Sequence, residues 1–125
     1  ETLFFKRLND LVAYLNRTCF LGILQTEFHY ALYPTGTGYK RHLDSFQNDN
    51  KRKLSIAFYL NSEDWSQTDG GALALYLEGD QSEEQTILVN PIAGRMVIFE
   101  SQKIPHEVLI AHRDRLSITG WLKTS

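Results

Sequence analysis

Several features that would narrow a reading are scarce or missing in this 125-residue chain. It holds one cysteine, Cys19, so no disulfide can close within it. Beside the apolar Phe20 and Leu21 that thiol is expected to be buried and reduced, which suits a cytoplasmic protein. No stretch approaches the roughly 18 consecutive apolar residues of a membrane span, and the opening residues do not read as a signal peptide, so no membrane partner is expected. The chain begins at Glu1 rather than Met, and the expectation is of an N-terminus truncated from a longer one. Charge of either sign is not in excess: 13 Lys and Arg against 15 Asp and Glu give a net charge of −2 and a pI near 6.1. That balance offers a polyanion no general attraction and disfavours nucleic acid as a partner. There is no internal repeat, linker or low-complexity segment, and nothing fixes an oligomeric state.

What is present is apolar material for one core. Hydrophobic residues make up 42% and aromatics 12%, the balance of a single domain spanning residues 1–125. Phe4, Leu8, Leu11, Val12 and Leu15 recur at spacings of three and four, which puts them on one face of a helix that must pack on something. From Glu27 the period changes to two. Short β-rich runs follow at Glu27–Tyr33, Tyr39–Asp44, Leu54–Leu60, Ala72–Leu77, Thr86–Val89, Arg95–Phe99, His106–Ile110 and Arg115–Leu122. Turn residues separate them at Pro34-Thr35-Gly36-Thr37-Gly38, Asp69-Gly70-Gly71, Glu78-Gly79-Asp80 and Ala93-Gly94. Eight strands in so small a chain predict a mainly β fold of two facing sheets, a jelly roll, with the N-terminal helix supporting the outside of one.

Three stretches on those strands carry chemistry: His42-Leu43-Asp44, Pro105-His106-Glu107, and Arg115 nine residues after that histidine. His42 and Asp44 are two apart, so in a strand both side chains leave one face about 7 Å from each other, close enough for one ion. Two imidazoles and a carboxylate with open coordination positions suit non-haem Fe(II) and its use of O₂. In the last strand Arg115, Ser117, Thr119 and Trp121 share one face, and Leu116, Ile118 and Leu122 the other. A guanidinium facing a barrel interior would be a costly unpaired charge unless an anion met it, so Arg115 reads as a carboxylate clamp. Iron with a clamped dicarboxylate is 2-oxoglutarate chemistry. Taken singly each piece has a plainer reading: a surface His-x-Asp pair, a chance Pro-His, a surface arginine beside Asp114. Order, spacing and strand placement together favour the site.

The wider pattern resembles a known family. Tyr33-Pro34, Gly36-Thr37-Gly38-Tyr39, Arg41-His42-Leu43-Asp44, Tyr59-Leu60-Asn61, Asp64-Trp65, Gly70-Gly71, Pro105-His106-Glu107-Val108 and Arg115-Leu116-Ser117-Ile118-Thr119-Gly120-Trp121 together resemble the Fe(II)/2-oxoglutarate-dependent prolyl hydroxylases, the cytosolic oxygen-sensing type and its bacterial relatives. The resemblance runs from about Glu27 to Lys123. It implies a double-stranded β-helix in which His42, Asp44 and His106 hold Fe(II) and Arg115 grips the distal carboxylate of 2-oxoglutarate. It also implies that Tyr59 adds a hydroxyl hydrogen bond to that carboxylate, that Tyr33 and Thr119 line its pocket, and that Trp121 sits near the iron-facing interior. O₂ is the oxidant, with ascorbate an optional addition. The chain departs from the pattern in a short loop after Tyr33 and in Ala57, where a bulkier residue is common.

The same resemblance sets the expected reaction: hydroxylation of a prolyl residue in a protein, with release of succinate and CO₂. The expected partner is a protein substrate with an exposed proline, a translation factor or ribosomal protein by family analogy. The alternative is hydroxylation of a free amino acid or other small molecule. A halogenase would lack Asp44, and a non-catalytic binding module would have lost a ligand. His29 and His112 read as surface residues, the loop at Gly36 and Gly38 as a mobile lip, and Asn48–Lys53 as a solvated basic turn.

Overall fold

In the computed structural model, which describes residues 2–44, 51–79 and 83–124, the apolar spacing at the start of the chain becomes α1 (Thr2–Cys19). Leu8 is its deepest residue, and it meets Ile23, Ile56 and Leu122 in a cluster that Phe4, Val12 and Leu15 close. The helix ends where Phe20 and then Gly22 take positive φ. Asn16 secures the exit, accepting from the Ile23 N–H at 2.7 Å and donating to the Ile23 carbonyl at 2.8 Å. Cys19, at the end of α1, is exposed, not buried as its apolar neighbours suggested. Phe20 also turns outward, so the thiol gains no cover from it.

Eight strands follow in the expected order: β1 (Gln25–Tyr33), β2 (Tyr39–His42), β3 (Arg52–Tyr59), β4 (Leu73–Glu78), β5 (Glu84–Val89), β6 (Met96–Glu100), β7 (His106–Val108) and β8 (Arg115–Lys123). They form two antiparallel four-stranded sheets, one ordered β1-β8-β3-β6 and the other β2-β7-β4-β5. That interleaving is the jelly roll, with α1 against the outer face of the first sheet through Ile56 of β3 and Leu122 of β8. Between the sheets Leu73, Leu75, Phe99 and Val108 form a second cluster, joined by Tyr33, Val89, Val97 and Ile104. Gly120 of β8 is required by close approach, since a Cβ there would stand 2.2 Å from the Glu27 carbonyl of β1.

Three strands stop short of their expected ends, β3 by one residue, at Tyr59 instead of Leu60. β2 ends at His42, leaving Asp44 in a bend beyond it, and β7 ends at Val108 instead of Ile110. Past Val108 the backbone bonds to two loops in turn: Ile110 accepts from Gly71 at 3.0 Å, and Ala111 accepts from Gly36 at 2.7 Å and donates to Thr37 at 3.0 Å. The expected mobile lip is therefore pinned. Thr35 adds backbone and hydroxyl bonds to the Asp114 carboxylate at 2.9 and 3.0 Å, which hold that carboxyl below its ordinary range. Of the expected turns and basic segment, Asp80 and residues 48–50 lie outside the described residues.

Candidate metal and cosubstrate site

The two sheets enclose a cavity of about 390 Å³, within the range of small-molecule sites. His42 and His106 face each other across the β2–β7 pair with ring centroids 4.3 Å apart. Asp44 reaches both: its Oδ1 lies 3.3 Å from His42 Nε2 and 3.2 Å from His106 Nε2. One donor atom from each of the three residues falls within 4.8 Å of the others, a spacing one ion can bridge. Strand alternation is not what brings Asp44 there, because it stands past the end of β2. Its carboxylate is drawn in by Ser55 of β3, whose hydroxyl donates to Oδ2 at 2.6 Å, while Arg52 donates to its carbonyl at 3.0 Å.

The surroundings orient each donor. His42 Nδ1 is 2.7 Å from the Lys40 carbonyl and His106 Nδ1 is 3.1 Å from the Ile104 carbonyl. A carbonyl only accepts, so both Nδ1 atoms carry a proton and both Nε2 atoms are turned toward Asp44 Oδ1. Burial alone would raise the Asp44 carboxyl, but the hydrogen bonds from His106 and Ser55 and the charge of His106 outweigh it and hold the group at about 2. The Trp121 indole adds a smaller lowering contribution, although its N–H completes no hydrogen bond of ordinary geometry. Two imidazole Nε2 atoms and one carboxylate oxygen, converging and already oriented, fit a divalent first-row metal with positions to spare.

At the other end of the cavity Arg115 opens β8, paired with Tyr33 of β1 in the register. It is only 2% exposed. Its Nε donates to the Gly71 carbonyl at 2.7 Å, and its guanidinium carbon lies 5.3 Å from the Tyr33 ring and 5.1 Å from the Tyr59 ring. Among the described residues no carboxylate pairs with it. Burial pulls the guanidinium below its ordinary pKa and pushes the Tyr59 and Tyr33 hydroxyls above theirs. Tyr59 Oη is buried without a partner, and so is the hydroxyl of Ser117, two residues along β8 from Arg115. Unmet donors around an unpaired buried cation fit a carboxylate arriving from outside, as a dicarboxylate cosubstrate would supply.

Every residue singled out in the sequence lies in this cavity wall: Tyr33, His42, Asp44, Tyr59, His106, Arg115, Thr119 and Trp121. Trp121 is 3.7 Å below the Arg52 guanidinium, so Arg52 belongs to the wall and not to a solvated turn. Sequence reasoning gave no site role to Ser55 or Ser101, placed Ser117 beside Arg115 without one, and named Gly71 and Tyr39 only within motifs, although the Tyr39 ring lies 4.2 Å from His42. Period two could have found Ser55, which sits opposite Trp121 on the inward face of β3. His29 and His112 are exposed as expected, with His29 2.9 Å from Glu27.

The sequence pattern described as "2OG-Fe(II) oxygenase superfamily" matches residues 28–123. Among curated relatives, the hypoxia-inducible factor prolyl hydroxylase of Caenorhabditis elegans is 39% identical over 94 residues, covering 73% of this chain and 12% of that protein. Human Egl nine homolog 1 is 37% identical over 100 residues, covering 78% of this chain and 22% of its own length. The chain thus spans a minor part of each. A Pseudomonas putida prolyl-4-hydroxylase superposes with a TM-score of 0.83 at 43% identity, over 94% of this chain and 63% of that one. A Trichoplax adhaerens prolyl hydroxylase, solved with a hypoxia inducible factor oxygen degradation domain peptide fragment, gives 0.78 at 33% identity over 96% of this chain and 56% of its own. With the pattern matched across both sheets and the His-Asp-His group at its centre, the chain belongs to the 2OG-Fe(II) oxygenase superfamily.

Proposed function

We propose that the chain hydroxylates a prolyl residue of a protein, using Fe(II), 2-oxoglutarate and O₂, with ascorbate as an accessory reductant. The observation that carries the reading is one cavity with His42, Asp44 and His106 at one end and the unpaired, buried Arg115 at the other. In it His42 Nε2, His106 Nε2 and Asp44 Oδ1 would hold the metal. Arg115 grips the distal carboxylate of 2-oxoglutarate, Tyr59 donates its hydroxyl to the same group, and Tyr33, Thr119 and Trp121 wall the pocket. When bound, Fe(II) and 2-oxoglutarate would supply the oxidising chemistry, with 2-oxoglutarate and O₂ consumed, succinate and CO₂ released, and one oxygen atom of O₂ found in succinate and the other in the hydroxylated product. The protein's share is positioning and exclusion of water: Leu73, Phe99 and Val108 give the cavity an apolar wall.

A protein substrate is favoured by the peptide seated on the Trichoplax relative, 33% identical over nearly this whole chain. A free amino acid would need fixed partners for its ammonium and carboxylate besides the clamp, and the other wall arginine among the described residues, Arg52, already stacks on Trp121 and donates to the Asp44 carbonyl. Within the protein class, a translation factor or ribosomal protein is the candidate, and a cytoplasmic setting accords with a single cysteine that has no second one in this chain to bridge to. Residues 1–125 act here as one catalytic domain. The test supplies the chain with Fe(II), 2-oxoglutarate and either the protein or the small-molecule fraction of one cell extract. Hydroxyproline in a protein, coupled to succinate, is expected. Succinate driven by the small-molecule fraction alone would instead assign a free-amino-acid hydroxylase.

A further inference from the structure

Asp44 is the one member of the ligand group that its own strand does not position, and what positions it lies on the other sheet. His42 and His106 stand on β2 and β7 of the second sheet, whereas Ser55 is on β3 of the first. Ser55 Oγ is 2.6 Å from Asp44 Oδ2 and 2.8 Å from the hydroxyl of Ser101, the residue just after β6. Both serines are essentially fully buried, at 2% and 0% exposure. Ser101 is itself fixed: its N–H donates to the Lys53 carbonyl at 3.1 Å and its carbonyl accepts from the Asp44 N–H at 3.3 Å.

The order of donation in this chain is forced. An ionised carboxylate only accepts, so the single Ser55 proton goes to Asp44 Oδ2, and Ser55 must accept its second bond from Ser101. Oδ2 is thereby occupied, and Oδ1 alone is left facing the two imidazoles. We propose that Ser55 and Ser101 are positioning residues that tie Asp44 across the two sheets and hold its carboxylate one-handed for the metal. Both hydroxyls act through Asp44 and not as members of the donor group itself. Their effect is on affinity, through the orientation of a ligand that stands beyond its strand.

The inference rests on the metal-site reading and not on the identity of the substrate, so its test needs only Mn(II) and the purified chain. Mn(II) dissociation constants are measured by electron paramagnetic resonance for the unaltered chain, Ser55→Ala, Ser55→Thr, Ser101→Ala and the double alanine variant, with Tm recorded for each. Ser55→Ala is expected to weaken Mn(II) binding by about 10- to 100-fold, the usual effect of removing a group that orients a ligand. Ser55→Thr, which keeps the hydroxyl, should restore most of it. Ser101→Ala should cost several-fold, and the double variant no more than Ser55→Ala, because Ser101 acts only through Ser55. A drop in Tm with unchanged Mn(II) affinity would overturn the proposal and leave the serines as packing. If Ser55→Ala does not fold, Ser101→Ala decides, and unchanged affinity there overturns it as well. An unaltered chain that binds no Mn(II) would overturn the metal-site reading and this proposal together.

Discussion

At the scale of single residues the site depends on two charges with different needs, Asp44 partly buried and Arg115 fully so. Asp44 is satisfied within the protein, by Ser55 on one oxygen and two imidazoles on the other. Arg115 is not: it spends one N–H on Gly71 and turns the rest of its fork into the cavity. The consequences of altering them differ accordingly. His106→Ala removes one of three metal donors, and we expect loss of stoichiometric Mn(II) binding and of succinate formation, with the circular dichroism of the fold retained. Wild-type metal affinity in that variant would remove His106 from the ligand set. Arg115→Lys keeps the charge but loses the planar fork. Affinity for 2-oxoglutarate, read by calorimetry, should fall by roughly 10- to 100-fold, the equivalent of a charge-assisted bond of about 1.5–3 kcal/mol, with Mn(II) binding nearly unaltered. An unchanged affinity would take Arg115 out of the pocket.

At the scale of elements, the turns matter as much as the strands. Gly71 has φ +70 and supplies the carbonyl that holds Arg115, and a Cβ there would stand 3.0 Å from Arg115 Cδ. Gly94 has a similar φ of +81 with nothing within 4 Å. Both alanine variants should lose about 1–2 kcal/mol of stability from the left-handed backbone. Only Gly71→Ala should also weaken 2-oxoglutarate binding, and equal effects of the two on that affinity would contradict the role given to Gly71. The helix is a separate case. Leu8 is 2% exposed between α1 and the first sheet, so Leu8→Ala should cost about 2–5 kcal/mol in a denaturant titration. Its effect on Mn(II) affinity in the folded fraction should be slight.

The elements were the legible part of the sequence. Period two and turn residues located all eight strands, and the three-and-four spacing of Phe4, Leu8, Val12 and Leu15 located the helix and its packing face. The ligand group was legible because His42, Asp44, His106 and Arg115 are polar where strands begin or end. Its supporting groups were not. Ser55 and Ser101 matter through a hydroxyl pair 46 residues apart in sequence, a separation that no local period reveals. Cys19 failed for a related reason: apolar neighbours in sequence do not guarantee cover once Phe20 turns the chain out at positive φ.

At the scale of the molecule, the fold sets the two halves of the proposed site on different sheets. The second sheet carries both histidines, and β8 of the first carries the arginine. On the proposed reading the same cavity binds metal and cosubstrate as a linked pair, because 2-oxoglutarate gripped by Arg115 at one end would gain the metal at the other. The most direct test is a titration of 2-oxoglutarate by calorimetry, under nitrogen, with and without saturating Mn(II). The account predicts one Mn(II) per chain and tighter 2-oxoglutarate binding when it is present, by a factor in the range of about 5- to 150-fold typical of coupled sites. The same 2-oxoglutarate affinity with and without the metal would mean that the two ends of the cavity do not serve one ligand, and would contradict the account.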